Sequence, residues 1–167
     1  GYGMIDGKVA DPEDHFHQFM LNGYAYLGMN RAAEILKEID PTAYKQIRSE
    51  ADAWKADIRQ SFFNAMGLSP VVPLGDGTWC PTVPPWTEAD GIRAFYQKHE
   101  AFWSHGTFTA PDALLGPLYL VFCEVLDPSE PAAESMLRYH SELFYQGNAA
   151  FSQPYYSRHN WLQARLG

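Results

Sequence analysis

The stretch "IDPTAYKQI", residues 39 to 47, is the tightest constraint in the sequence. Before it, apolar residues recur at Phe16, Phe19, Met20, Tyr24, Leu27, Ile35, Leu36 and Ile39, close to helical spacing. After it, Tyr44, Ile47, Ala51, Trp54, Ile58 and Phe62 form a second stripe of the same period. Asp40 is suited to accept the first free N–H groups of the second helix, and Pro41 fits its first position. Two long helices separated by so little chain must fold back antiparallel. The first helix is expected to open at "ADPED", with Asp11 as cap, Pro12 at its first position, and Glu13 and Asp14 on the positive end of its dipole. Gly23 and Gly28 weaken it by about 1 kcal/mol each relative to Ala, which close approach to another helix would explain. Gly67 is expected to end the second helix.

"PVVPLGDGTWCPTVPPW", residues 70 to 86, breaks this pattern. It holds five of the twelve prolines and two of the five tryptophans, and that many prolines excludes a helix interior. Gly75-Asp76-Gly77 between "VVPL" and "TWC" signals a small β-ribbon over residues 70–82, and Pro73 confines it to an edge or an irregular pairing. Helical patterns resume with Thr87 and Asp90 as a capping pair and Ile92, Phe95, His99, Phe102 and Trp103 on one side. Asp112 to Leu126 reads as a fourth helix whose regular part Gly116-Pro117 delays, and "LDPSEP" repeats the helix-Asp-Pro-helix device. Met136, Leu137, His140, Leu143 and Phe144 face the fifth helix inward until Gly147, and Trp161 begins a sixth. Residues 1–167 are thus expected to form one all-α domain of consecutive antiparallel helical hairpins with a small β-ribbon.

Composition narrows the function. A formal charge of −8 with no basic cluster argues against nucleic acid and anionic membrane as partners. No apolar run approaches the roughly 20 residues that span a bilayer. Cys80 and Cys123 are expected as free thiols and do not set the compartment. His15 and His17 fall on different faces of a helix, no second Glu-x-x-His motif accompanies them, and His99 and His140 lie on apolar stripes, so no metal or other cofactor is expected. No phosphate-binding glycine loop, nucleophile-elbow serine or Cys-x-x-Cys motif occurs.

The consecutive hairpins of "DPEDHFHQFMLNGYAYLGMNRAAEILKEIDP", followed by "VVPLGDGTWCPTVPPW" and closed by "FSQPYYSRHNWLQARLG", resemble the six-hairpin glycosidase-like proteins. The resemblance implies an (α/α)6 toroid of inner and outer helices around a cleft, with glycoside hydrolysis or lyase chemistry on polysaccharides. Only about half a toroid is accounted for, so this chain is expected to be a segment of a larger protein lacking a complete active site of its own. The apolar faces so exposed would find cover in a partner, a homodimer among them. Hydrolysis would need two facing carboxyl groups. Glu88, two residues after Trp86, is the preferred acid, with a first-turn helix-dipole partner as its alternative role. Asp11, Asp40, Asp112 and Asp127 are better explained as caps, and Asp76 as a turn residue. An oligo- or polysaccharide would meet Trp79 and Trp86, then Tyr155 and Tyr156 with Arg158 and His159. The same aromatics could instead pack the loops onto the helix ends, which would leave a non-catalytic helical interaction or carbohydrate-binding module.

Overall fold

The Asp40-Pro41 junction behaves as its chemistry dictates. In a computed structural model, which describes residues 3–7, 17–88, 117–141 and 159–166, helix α1 (Phe19–Leu36) is followed by α2 (Pro41–Leu68). Asp40 Oδ1 accepts from the N–H groups of Thr42 and Ala43 at 3.1 and 3.0 Å, which closes the open end of α2. The helices run antiparallel. Phe19 meets Phe62 edge to face at 5.3 Å, Lys55 sits over the Tyr26 ring, and Arg48 donates to Asn30 at 2.6 Å.

The start of α1 differs from expectation. Gln18 is extended (φ −77°, ψ 136°) and pairs antiparallel with Trp86, so the helix does not run through from Pro12. Backbone bonds from Phe19 N–H to Pro85 C=O (3.1 Å) and from Thr87 N–H to His17 C=O (3.2 Å) hold that pairing. Asp11 and its neighbours lie outside the described residues. The end of α2 also differs. Gly67 remains within the helix, which stops at Ser69 because Pro70 follows and drives the preceding residue to extended backbone (ψ 148°). The Ser69 hydroxyl returns a hydrogen bond to Ala65 C=O at 2.9 Å.

Strands β1 (Val71–Pro73) and β2 (Trp79–Pro81) form the expected ribbon, antiparallel with Val72 opposite Cys80. Gly77 adopts φ +81°, and Asp76 Oδ1 accepts from both the N–H and the hydroxyl of Thr78. Helix α3 (Pro117–Phe122) starts at the proline and ends four residues short of Leu126. Its C-terminus closes through Glu124, a non-glycine residue at φ 65°, with the N–H groups of Val125 and Leu126 returning to Leu120 C=O. Helix α4 (Pro131–His140) places Pro131 in its first turn, and α5 (His159–Leu166) begins two residues before Trp161. The expected third helix beyond Glu88, the loop after it and the first residues expected in the fourth helix fall in 89–116, outside the described residues. The described part is therefore mostly helical, five helices with one two-stranded sheet.

The core gathers Phe19, Ile58 and Phe62 of the hairpin with Leu120, Met136 and Leu162 of the later helices. Gly23 allows α1 to approach α3: a Cβ there would lie 3.4 Å from both Cys123 Cβ and Tyr119 O. Gly28 has no such neighbour. Cys80 and Cys123 are buried and form no disulfide, and His140 is buried on α4. Exposed apolar side chains do occur on the hairpin, Ile35 and Ile39 near its connection and Leu68 at the far end of α2.

One ionic clamp joins the hairpin to the segment between α3 and α4. Arg59 of α2 donates to both carboxylate oxygens of Glu130, at 2.8 and 2.9 Å, and to Val125 C=O at 2.9 Å. The Arg59 hydrogen bond holds the Glu130 carboxyl below its ordinary pKa. Arg59→Met should therefore lower stability by about 1–3 kcal/mol at neutral pH. The depressed Glu130 pKa stabilises the fold above about pH 4, and that contribution fades as pH falls through the folded-state value. Melting curves of wild type and variant should converge in acid. A second expectation concerns Glu124→Gly. Relief of its left-handed backbone, worth about 1–2 kcal/mol, outweighs loss of its exposed ion pair with Arg31, worth about 0–1 kcal/mol, so denaturation should show equal or higher stability.

Candidate functional site

The Gln18–Trp86 pairing sets the surroundings of Glu88. Beyond the bridge the two segments continue side by side, and His17 Nδ1 meets Glu88 Oε1 while His17 N–H donates to Glu88 Oε2 at 3.3 Å. Thr87 adds a hydroxyl contact to Met4 Sδ. The two side chains of the His17–Glu88 pair are 23% and 31% exposed, so solvent reaches a carboxyl already held in one orientation. Such a pair can share or relay a proton. Beneath it, Gln18 is buried, and among the described residues nothing hydrogen-bonds either atom of its side-chain amide.

The two tryptophans of the ribbon region have opposite environments. Trp79 stands on β2 with 64% of its surface exposed, whereas Trp86 is 4% exposed and packs into the protein. They do not form a joint platform. His159 opens α5, and Tyr155, Tyr156 and Arg158 lie outside the described residues.

A concave surface appears elsewhere. A groove of about 310 Å³ lies among α2, the end of α3 and α5. Its apolar base comes from Val121 and Leu126, both buried. One wall is aromatic: Phe122 and Trp161 pack edge to face with centroids 5.3 Å apart. Around the rim stand Lys55, Arg165, Glu124 and Asp127. Lys55 Nζ donates to Glu124 C=O at 2.6 Å, while Arg165 lies over the Trp161 ring at 5.3 Å. Both contacts pre-orient a cation, the second through the ring's negative face.

The carboxylates there are suited to accepting hydrogen bonds. The Ser129 hydroxyl and backbone N–H, with Lys55 nearby, hold Asp127 below its ordinary pKa. Asp127 therefore stays ionised further into acid, which suits a fixed acceptor and not a proton donor. Asp127 is expected from the sequence as a helix cap, but the residue preceding α4 is Glu130, and Asp127 instead closes a local turn onto Ser129. The Glu124 carboxylate pairs with Arg31.

Sequence reasoning missed the groove because Lys55, Glu124 and Trp161 come from three distant segments. The one local signal was the i,i+4 spacing of Trp161 and Arg165 on a helix. Among the described residues there is no metal-ligating group of three or more side chains, and no helix is long and apolar enough to cross a membrane. No known family model matches the chain, and no curated protein or solved structure shows significant similarity to it.

The contrast between the tryptophans is measurable. Trp86→Ala should destabilise by about 3–5 kcal/mol through a core cavity, while Trp79→Ala should stay within about 0.5 kcal/mol of wild type in denaturant titration.

Proposed function

We propose that this chain is a carbohydrate-binding segment of a carbohydrate-processing protein, built as part of a glycoside hydrolase-like (α/α)6 domain. The observation that carries the reading is the groove with the Phe122–Trp161 wall. A sugar ring has an apolar face and a hydroxylated edge. It fits a recess whose wall is aromatic, whose base is apolar and whose rim offers charged donors and acceptors. The volume of about 310 Å³ suits one or two rings. The α1–α2 hairpin, closely joined and antiparallel, is the repeating unit that such a domain requires.

Catalysis and binding separate in this reading. Asp127 is held ionised by Ser129 and serves as an acceptor for hydroxyls. Acid–base chemistry falls instead to Glu88, whose carboxyl is solvent-reachable and oriented by His17. The second carboxyl of a hydrolytic pair would come from another part of the domain. Because the groove itself binds without a proton donor, a carbohydrate-binding module with no catalysis of its own is the second reading.

Calorimetric titration of the full-length protein with a panel of plant and bacterial oligosaccharides tests the reading. At least one should bind, and Trp161→Ala should weaken it by about tenfold, equivalent to about 1.4 kcal/mol. Failure of the full-length protein to bind any glycan would overturn the proposal.

A further inference from the structure

We infer that the groove beside Trp161 selects ligands carrying an anionic group, a carboxylate or sulfate on the sugar, through Lys55 and Arg165. The inference rests on the carbohydrate reading above and names its substrate class. It starts from an exception in the ion-pair pattern. Arg31, Arg48, Arg59 and Arg138 each meet a carboxylate, on Glu124, Asp52, Glu130 and Asp76 respectively. Arg165 does not: among the described residues no carboxylate lies within ion-pair distance of its guanidinium, which rests on Trp161 at the groove's edge. Among the described residues Lys55 also has no carboxylate at that distance, and its bond to Glu124 C=O occupies one of three ammonium donors.

The acids on the same rim are each anchored by a neighbour. Arg31 takes the Glu124 carboxylate, and one Asp127 oxygen accepts from both the N–H and the hydroxyl of Ser129. Two cations with spare donors thus face a recess whose two carboxylates are each held in place by a contact of their own. A guanidinium drawn to an indole face keeps its N–H donors free for a second partner, and its fork matches a carboxylate or sulfate in bidentate contact. The chain as a whole carries −8, so its overall field repels anions, and any preference for them must come from this local pair.

The test compares ligands that differ only in charge. The full-length protein is titrated with oligogalacturonate and with its carboxyl-reduced counterpart, then with a sulfated galactan oligosaccharide and its desulfated form. At least one anionic ligand should bind about tenfold or more tightly than its neutral match, with the preference shrinking as salt is raised. Which of the two pairs shows the difference identifies the carboxylate or the sulfate as the recognised group. Arg165→Gln should abolish the preference, weakening the anionic ligand at least about fivefold more than its neutral match. Lys55→Gln should reduce the preference in the same direction, and melting temperatures confirm that both variants are folded. Equal binding of charged and neutral forms would overturn the inference while leaving carbohydrate binding intact. An equal loss for both forms in Arg165→Gln would also overturn it. Binding of neither form would remove both readings together.

Discussion

The reversal between α3 and α4 is held from outside, by side chains of α2. Backbone carbonyls at the end of a helix lack internal partners, and here they find cations. Lys55 takes Glu124 C=O, and one turn later Arg59 takes Val125 C=O together with the Glu130 carboxylate. Glu130 in turn accepts from Asp127 N–H at 2.7 Å, so the start of α4 is tied into the same network. The reversal between α3 and α4 depends on this clamp. It fixes where Leu126 enters the core and where Asp127 stands on the groove rim. Its charges are only partly exposed, so water screens it less than the surface pairs elsewhere on the hairpin.

The clamp also accounts for the backbone of Glu124. Glycine is the ordinary residue at a left-handed helix terminus. Glutamate there costs conformational energy, but the position points a carboxylate at Arg31 and a carbonyl at Lys55. The strained residue thus links α1, α2 and the groove at a single point.

The local features of this fold were legible in sequence because their causes are local. Asp40-Pro41 caps the next helix with its own side chain, and Gly75-Asp76-Gly77 makes its turn within five residues. Misreadings occurred where a distant partner or a neighbouring residue overrode the local signal. The helical periodicity before Phe19 gave no sign of the bridge to Trp86, and Pro70 decided the end of α2 although Gly67 suited it. Candidate site residues fared according to the same rule. Glu88 was legible as an available carboxylate, but its pairing with His17 spans 71 positions and leaves no pattern in either segment. Trp79 and Trp86 looked alike in composition, and only the register of the ribbon and bridge separates the exposed one from the buried one.

The bridge between Gln18 and Trp86 has a kinetic consequence. It closes a loop containing the whole α1–α2 hairpin and the ribbon, so the ends must meet across a long stretch of chain. Closing such a loop costs little when the intervening chain is already compact and much more when it is not. The hairpin and the ribbon form from near neighbours, so they can precede closure, and the bridge then completes a prepared ring. In the closed ring the Trp86 indole is buried while Trp79 stays in water. With the chain's other three tryptophans replaced, Trp86 therefore reports ring closure through its burial, and Trp79 supplies an exposed reference.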